Sequence, residues 1–542
     1  MDERKPAAAA PAVHFAVGLL RKTRMWRRYL AVDGARLVAD LPGIESEVAA
    51  VLNEARPTCL WSWNAHGSAP PEITVSGLIA AWESARRAAV PAAIAAFALP
   101  PVVVFDRPLD IPSGVAVDFT GVAIKLPTTP PRFLVRFDGV VGASVANLAV
   151  DLARHDTVAV GVRGCTGVSV AGLVQRGGAA GVMLRGGNES VEIRDCDFEG
   201  IERAGVSVQG ANRNVVIRQC RVAGSRSASN WAAGIVLAAV PVRDPWDWRG
   251  DFHPDGHWAR AEPIETCLAV PARVAVADCV VRDTRAGGIY LDGAIGCLVR
   301  GNRITATDKE GMCLDIGCAG CVIEGNRIER CGARQRQTGD DLARDFVARH
   351  GRLCDGAARC ALPGISLDNA FGNRVTGNRF IANAGGAIKL VRTAFQNTIS
   401  ANRILAPRPP ADPTAWHLPG ILLDGLPPDV PNHDMDFLPS RDNVIAGNVV
   451  VERWRGPGML LGKGCTGNLV TGNRVVVPVR TGRAASGHTA ASGGMSRFAV
   501  FARHAGPNHI SGNITRGAVA RWWPVWSKAR GWLGAARRRW GG

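Results

Sequence analysis

The stretch from Gly287 to Ile404 repeats one short unit, and this repeat decides the fold. The first part of the unit is a strand-like segment, which reads Gly287-Gly288-Ile289-Tyr290-Leu291-Asp292, Gly311-Met312-Cys313-Leu314-Asp315, Gly364-Ile365-Ser366-Leu367-Asp368, Gly386-Ala387-Ile388-Lys389-Leu390-Val391 and, further on, Gly420-Ile421-Leu422-Leu423-Asp424. The second part is a turn, which reads Gly301-Asn302-Arg303-Ile304, Gly325-Asn326-Arg327-Ile328, Gly377-Asn378-Arg379-Phe380 and Ala401-Asn402-Arg403-Ile404. The asparagines are 24 residues apart from 302 to 326 and again from 378 to 402. Self-similarity at such a period indicates a solenoid.

The spacing of the apolar residues indicates which solenoid this is. Ile289 and Leu291 alternate with Tyr290 and Asp292, which predicts a strand with one buried face. Further short apolar segments flank the Gly-Asn turn on both sides, and no helical spacing occurs between them. Three strands per repeat predict a parallel β-helix, whereas leucine-rich repeats need a Leu-x-x-Leu-x-Leu frame that is absent. Each asparagine can then bond its neighbour one rung away, at about 4.8 Å, to form an asparagine ladder.

This coil, a Gly-Ile-x-Leu-Asp strand followed by a Val-x-Gly-Asn-x-Ile turn, resembles the right-handed parallel β-helix of the pectin-lyase-like superfamily. The resemblance extends over residues 100–515. It implies an all-β solenoid of about 12 coils with three strands per coil. We expect a helical cap region in residues 1–99 and a separate basic, tryptophan-rich tail in residues 516–542. The fold hosts lyases, hydrolases, epimerases and non-catalytic proteins, so the resemblance is specific for the fold and not for a reaction.

The composition limits the class of partner and the state of the cysteines. A formal charge of +17 should attract polyanions such as acidic polysaccharide, nucleic acid or anionic lipid. Of the 14 cysteines, Cys196, Cys220 and Cys279 occupy the position that asparagine fills in later repeats. A β-helix stacks like residues on like, so we predict buried, reduced thiols. The pair Cys318-Ala319-Gly320-Cys321 has no second pair at metal spacing and is not predicted to be a metal or redox site.

The N-terminal region carries no recognisable secretory signal. An apolar run in residues 7–20 precedes a basic cluster, which is the reverse of the order in a signal peptide, and it is too short to span a bilayer. We therefore expect a cytoplasmic protein. Residues 43–55 and 77–90 have helical apolar spacing. The resemblance implies that the second of these helices covers the open end of the first coil, where core and unpaired backbone groups would otherwise be exposed.

Five insertions interrupt the later coils, at residues 240–265, 332–363, 407–419, 426–441 and 477–497. We predict that all of them leave from one corner, between the strand after the Gly-Asn turn and the next Gly-Ile-x-Leu strand. Loops stacked on one corner would form a wall beside one face of the solenoid. The resemblance implies that this wall borders a substrate cleft, and the alternative is a set of surface loops without a role.

Two columns of outward side chains follow from the strand pattern, because Ile289 and Leu291 point inward. They are Tyr290, Cys313, Ser366, Lys389, Leu422 and Asp292, Asp315, Asp368, Val391, Asp424. Carboxylates about 4.8 Å apart repel by roughly 1 kcal/mol in water. Such repetition predicts that a cation such as calcium bridges Asp292, Asp315 and Asp368, or that one acid stays protonated. The alternative is that aspartate only begins the glycine-rich turn after the strand.

Lys389 is the strongest candidate for a catalytic residue. It lies one coil after Asp368, with Arg392 nearby. Removal of the proton beside a uronate carboxylate needs neutralisation of that carboxylate and a base close to C5. Lyases of the fold that the chain resembles use acidic residues with calcium and an arginine or lysine base. We therefore predict Lys389 as the base, Asp315 and Asp368 as acid or cation ligands, and Arg392 as a clamp for the carboxylate; the alternative is a solvated surface lysine.

The function predicted from these residues is action on an acidic, uronate-containing polysaccharide by β-elimination or C5 epimerisation. The Asp-Pro-His signature of mannuronan epimerases and the Gly-His-Gly signature of polygalacturonase-like hydrolases are absent. A glycoside hydrolase that uses the outward aspartates and a non-catalytic polysaccharide-binding or assembly protein remain alternatives. The side chains predicted to hold sugars are Tyr290, Trp246, Trp258, His257, Trp416 and His433.

The tail in residues 516–542 alternates tryptophans with basic residues and contains no acid. Such a segment either caps the last coil or lies on an anionic membrane, which would make the protein peripheral at the inner membrane. Nucleic acid is not an expected partner.

Overall fold

The structure is a computed structural model that describes residues 41–57, 59–61, 71–87, 99–227, 233–239, 270–315, 317–332, 362–368, 370–391, 394–405, 419–423, 440–452, 458–462, 464–476, 500–502 and 507–516. A 3-10 turn, Leu41–Gly43, leads into the helix Ile44–Glu54, and a second helix spans Val75–Arg87. A small three-stranded sheet contains Ile73–Thr74, Val102–Val104 and Ala123–Lys125.

Three long parallel sheets form the body of the described chain. The 14-stranded sheet consists of Cys59–Trp61, Val115–Asp118, Val141–Ala146, Thr166–Ala171, Glu189–Arg194, Arg213–Arg218, Ala272–Ala277, Leu298–Arg300, Val322–Glu324, Arg374–Thr376, Thr398–Ser400, Val444–Ala446, Leu469–Thr471 and His509–Ser511. The 13-stranded sheet consists of Leu109–Asp110, Phe133–Asp138, Val158–Arg163, Ala180–Arg185, Ala204–Gln209, Ala233–Ala238, Gly287–Asp292, Met312–Asp315, Ile365–Asp368, Ile388–Val391, Ile421–Leu423, Met459–Leu461 and Val500–Ala502. The 12-stranded sheet consists of Ala149–Ala153, Val174–Gly177, Asp197–Glu199, Arg221–Ala223, Val280–Arg282, Arg303–Thr305, Arg327–Glu329, Arg379–Ile381, Arg403–Leu405, Val449–Val451, Arg474–Val476 and Ile514–Arg516.

Each coil passes through the three long sheets in a fixed order. Gly287–Asp292 lies in the 13-stranded sheet, Leu298–Arg300 in the 14-stranded sheet and Arg303–Thr305 in the 12-stranded sheet. The next coil repeats this order, and its strands pair in parallel with those of the coil before it. The predicted parallel β-helix, with three strands per coil, is therefore confirmed.

The interior of the solenoid is a stack of apolar side chains. The inward positions of neighbouring strands, such as Ile289, Met312 and Ile365, are each 0% exposed. Full burial of a side chain of this size stabilises the fold by about 1.5–3 kcal/mol. The repeat of the sequence thus becomes a continuous core, in which each coil covers the next.

The predicted asparagine ladder is present at the turn between the 14- and 12-stranded sheets. Asn302 Nδ2 donates to Asn326 Oδ1 at 2.9 Å, Asn326 Nδ2 to Asn378 Oδ1 at 2.9 Å, and Asn378 Nδ2 to Asn402 Oδ1 at 3.0 Å. On its N-terminal side the ladder meets Cys279, whose backbone N–H donates to Asn302 Oδ1 at 2.9 Å. The ten cysteines whose side chains the structure describes are all free, and all except Cys313 are buried, so the predicted reduced thiols are confirmed for that part of the chain.

A second asparagine ladder occupies the turn between the 13- and 14-stranded sheets. Asn373 Nδ2 donates to Asn397 Oδ1 at 3.0 Å, and Asn397 Nδ2 to Asn443 Oδ1 at 3.1 Å. The ladder continues from Asn443 to Asn468 at 3.0 Å. Two of the three turns of the later coils are therefore fixed by buried amide side chains.

Both predicted helices are present, and they pack in different places. Val75 and Leu78 of the second helix are buried in the main core together with Phe105, near the first coils. The first helix instead packs on the outer face of the 14-stranded sheet, where Ile44 and Val48 belong to a separate apolar cluster. Its acidic side chains form ion pairs with the same sheet, Glu45 with Arg300 at 2.8 Å and Glu47 with Arg273 at 2.6 Å.

The prediction that all insertions leave from one corner is wrong. Segments 332–363, 407–419 and 477–497 connect the 12-stranded sheet to the 13-stranded sheet, as predicted. Segments 240–265 and 426–441 instead connect the 13-stranded sheet to the 14-stranded sheet. The two corners share the 13-stranded sheet, so insertions leave the solenoid on both sides of this sheet.

The N-terminal and C-terminal parts of the chain are only partly described. Cys59–Trp61 pairs with Val115–Val117 and so extends the 14-stranded sheet by one strand. Residues 1–40 and 517–542 lie outside the described residues, and the membrane attachment of the tail and the cytoplasmic location stay predictions. Within the described residues, neither helix has the length and apolar character needed to cross a membrane.

Candidate functional site

The strand register aligns the described residues of the two predicted columns, whereas Asp424 lies outside the described residues. Tyr290 pairs with Cys313, Cys313 with Ser366, and Ser366 with Lys389. In the second column Asp292 pairs with Asp315, and Asp368 with Val391. The structure therefore brings Tyr290, Asp292, Asp315, Asp368 and Lys389 together on four consecutive strands. We call the outer side of these strands, Gly287–Asp292 to Ile388–Val391, the aspartate face.

Tyr290 and Asp315 form a hydrogen bond between their side chains on this face. The Tyr290 hydroxyl donates to Asp315 Oδ2 at 2.7 Å. Burial raises the pKa of the Tyr290 hydroxyl well above its usual value, and the charges of Asp315 and Asp292 raise it further. The hydroxyl is therefore protonated at neutral pH and acts as a hydrogen-bond donor.

Glu310 is a residue of this face that the repeat pattern did not indicate. It precedes Gly311 at the start of a strand-like unit, where the other units carry glycine or proline. Burial raises the pKa of the Glu310 carboxyl, and Asp315 raises it further, whereas Lys309 and Lys389 act in the opposite direction. Glu310 thus lies within electrostatic reach of both Asp315 and Lys389. A carboxyl with a raised pKa beside a cation is a candidate general acid.

Cys313 lies among these acids but is not a candidate nucleophile. Burial raises the pKa of its thiol well above the usual value, and Glu310, Asp315 and Asp368 raise it further. A thiol that stays protonated is a poor nucleophile. Three carboxyl groups of this face therefore act on the same thiol through their charges.

The three aspartates of the predicted ladder differ in exposure. Asp292 is 0% exposed, whereas Asp315 and Asp368 are half-buried. Among the described residues, no three histidine, cysteine or acidic side chains lie close enough together to hold a metal ion. Calcium takes 6–8 oxygen ligands, and the ladder as described does not supply such a set. The calcium site stays a prediction, and no step derived below uses it.

The other predicted site residues lie outside the described residues. Arg392 follows Val391 directly but lies outside the described residues. The same is true of the predicted sugar-binding residues Trp246, His257, Trp258, Trp416 and His433. Their roles stay predictions.

Comparison with known proteins agrees with the architecture. A family model described as "Right handed beta helix region" matches residues 263–404. This chain is a right-handed parallel β-helix protein, as its resemblance to the pectin-lyase-like superfamily implies. No curated protein sequence matches it significantly.

Several solved structures have a similar chain path at low sequence identity. The mannuronan C-5 epimerase AlgE6 A-module of Azotobacter vinelandii is 10% identical, with a TM-score of 0.41 over 77% of this chain and 88% of that chain. The periplasmic alginate epimerase AlgG is 12% identical, with a TM-score of 0.43 over 82% of this chain and 83% of that chain. The catalytic domain of a GH87 alpha-1,3-glucanase is 9% identical, with a TM-score of 0.46 over 84% and 69%. At these values the structures carry no argument about the reaction of this chain.

Proposed function

We propose that this protein is a carbohydrate-active enzyme that acts on a uronate-containing polysaccharide at the aspartate face, by β-elimination or C5 epimerisation. The observation that carries the proposal is the grouping of Lys389 with a carboxyl of raised pKa, Glu310, and with the hydrogen-bonded pair in which Tyr290 donates to Asp315. Proton abstraction beside a carboxylate needs a base and an acid on one surface, with positive charge near the substrate. The net charge of +17 favours the approach of an acidic polymer.

Each residue of the aspartate face has a separate role in the proposed reaction. In its neutral form the Lys389 amine takes the proton from C5 of a uronate residue. In elimination, the electron pair forms a C4–C5 double bond, the C4–oxygen bond breaks, and the departing oxygen takes the proton of Glu310. In epimerisation, the C4–oxygen bond stays intact and C5 instead takes the proton of Glu310 on the opposite side of the ring. Tyr290 and Asp315 hold their hydrogen bond beside this site, and Arg392 is proposed to bind the uronate carboxylate.

A second candidate function is glycoside hydrolysis, and one observation favours it. Glu310 has a raised pKa, and Asp315 on the same face accepts a hydrogen bond from the Tyr290 hydroxyl. Two carboxyl groups in such different environments are the arrangement that hydrolases use for a general acid and its partner. In this case Glu310 would protonate the leaving oxygen, and Lys389 would only bind substrate.

Turnover of polygalacturonate and alginate by the Lys389→Met variant tests the proposal. Ultraviolet absorbance of the unsaturated product reports elimination, NMR reports inversion at C5, and new reducing ends without absorbance report hydrolysis. We expect turnover to fall by about 10²–10⁴-fold, the range for loss of a general base. Lys125→Met is the matched control, because Lys125 is exposed, pairs with Glu72 and lies near the first coils.

The assays are run with added calcium and with a chelator, so that a calcium requirement is seen directly. The lyase and epimerase proposal is wrong if neither polymer gives absorbance or inversion under either condition. It is also wrong if Lys389→Met turns over substrate as fast as the Lys125→Met control.

A further inference from the structure

A row of arginines lies on a different side of the solenoid from the aspartate face. The residue after each ladder asparagine begins a strand of the 12-stranded sheet, and four of these residues are direct partners on successive rungs. They are Arg303, Arg327, Arg379 and Arg403, and all four are exposed. We call the outer side of their strands, Arg303–Thr305 to Arg403–Leu405, the arginine face. Beyond Val449 the column resumes with Arg474, which is also exposed.

The positive charge of this face is only partly balanced. Arg327 Nε donates to Glu329 Oε1 at 2.8 Å, and Arg303 Nη2 lies 3.9 Å from Glu329 Oε2. The side chains of Arg379 and Arg403 form no hydrogen bond or ion pair with any described residue. Neighbouring rungs are about 4.8 Å apart, so these charges repel one another in the absence of an anion.

The chemistry of the face selects one kind of partner. A guanidinium group binds a carboxylate through two parallel hydrogen bonds, and a straight row of them fits a chain with evenly spaced carboxylates. Single-stranded nucleic acid needs aromatic side chains on which bases can stack. The eight outward positions of the four strands hold no aromatic residue; they are Arg303, Thr305, Arg327, Glu329, Arg379, Ile381, Arg403 and Leu405.

We propose that the arginine face is a second binding surface for a linear polyuronate, which lies along the solenoid axis and away from the reaction site. The choice of polymer rests on the proposed function, whereas the binding surface itself does not need any catalytic activity. A long polymer that contacts both faces is held with a higher local concentration at the aspartate face. A short oligomer reaches only one face at a time and gains nothing from the arginines.

The double variant Arg379→Gln/Arg403→Gln tests this proposal. These two arginines are chosen because removal of Arg303 or Arg327 would disturb Glu329, which is 7% exposed. We expect the variant to bind long polygalacturonate and alginate about tenfold more weakly at low salt, from two exposed contacts. Its affinity should also depend less on salt concentration, because fewer charged contacts are screened. The matched control is Arg213→Gln/Arg374→Gln, with the same change of charge at exposed arginines of the 14-stranded sheet.

Each outcome of the experiment decides the proposal. It is overturned if the double variant binds polymer like the unmodified protein, or if the control weakens binding equally. It is also overturned if the double variant binds single-stranded DNA or anionic lipid vesicles more weakly than the unmodified protein does but binds polyuronate equally well. Turnover of short oligomers should be unchanged, and its loss would mean that the arginines belong to the reaction site. If no polymer is turned over but binding still depends on Arg379 and Arg403, the proposed function fails and this inference stands.

Discussion

The aspartate face and the arginine face are two sides of the same coils, but they differ in burial and in the sign of their charges. On the aspartate face Asp292 is 0% exposed, and burial raises the pKa values of Tyr290 and Glu310. On the arginine face positive charges outnumber Glu329, the one acid among the outward positions of its four strands, and the guanidinium groups are exposed. Burial shifts the pKa of an acidic side chain and so suits it to proton transfer. An exposed row of arginines attracts an anion by its charge and does not exchange protons with it. The difference indicates a division between chemistry and binding.

The division is present even within one coil. The strand Met312–Asp315 belongs to the aspartate face, and Arg327–Glu329, which follows in the same coil, belongs to the arginine face. Arg327–Glu329 follows the ladder asparagine Asn326 directly, and Asn326 links this coil to the coils before and after it through hydrogen bonds with Asn302 and Asn378. The two faces can therefore be changed separately by surface substitutions, or together by a substitution in the ladder.

Of the substitutions that distinguish the two faces, we expect Glu310→Gln to have the largest effect, which is on turnover. An amide cannot donate the proton that the departing oxygen needs, so turnover should fall by about 10²-fold or more. Because the pKa of Glu310 is raised, the unmodified protein should keep this proton to a higher pH than an ordinary glutamate and lose activity as the pH rises through that pKa. The variant should lack this alkaline limb, and its polymer affinity should not change.

The pH profile of turnover checks this prediction, with Glu324→Gln as the matched control. Glu324 is a half-buried glutamate of the 14-stranded sheet, away from both faces. An unchanged alkaline limb in Glu310→Gln would show that another group donates the proton.

The fold was predictable from the sequence because the β-helix has a local period. The alternation around Ile289 predicts the strand and the recurrence of Asn302 predicts the turn, and both are present with the described residues of the two columns aligned by the register. The second ladder was not identified from the sequence, although Asn373 and Asn397 are also 24 residues apart. Insertions interrupt both ladders in the sequence, whereas the rungs remain stacked in the structure.

The site was less predictable, for a physical reason. Glu310 differs from the residues at the matching positions of the other units, which are glycine or proline. A search for residues that recur from unit to unit therefore does not find it. The apolar spacing of residues 44–54 indicated a helix but not the surface it covers, which is the outside of the 14-stranded sheet. Which residues share a charge environment depends on contacts between coils, and these follow only from the register.

A smaller effect, and one shared by both faces, is expected from Asn378→Ala. Asn378 Nδ2 donates to the carbonyl of Ile323 at 2.8 Å, and its Oδ1 accepts from the buried Asn326. Removal leaves several buried polar groups without partners, at a cost of about 3 kcal/mol. The melting temperature should fall, and turnover and polymer affinity should be lost over the same range of temperature.

Thermal unfolding followed by circular dichroism checks this prediction. Asn513→Ala is the matched control, because Asn513 is the last rung of this ladder in the described chain and is only partly buried. It should lower the melting temperature less. If Asn378→Ala lost turnover at a much lower temperature than polymer affinity, or the reverse, the stability of the two faces would not depend on the same ladder.

The central claim is that chemistry resides on the aspartate face and polymer retention on the arginine face. The most direct test measures kcat on short oligomers and affinity for long polygalacturonate in two variants, Lys389→Met and Arg379→Gln/Arg403→Gln. The account predicts that Lys389→Met loses kcat and keeps the affinity, whereas the arginine variant keeps kcat and loses about tenfold in affinity. Loss of both properties in both variants would contradict it, because the two faces would then be parts of a single site.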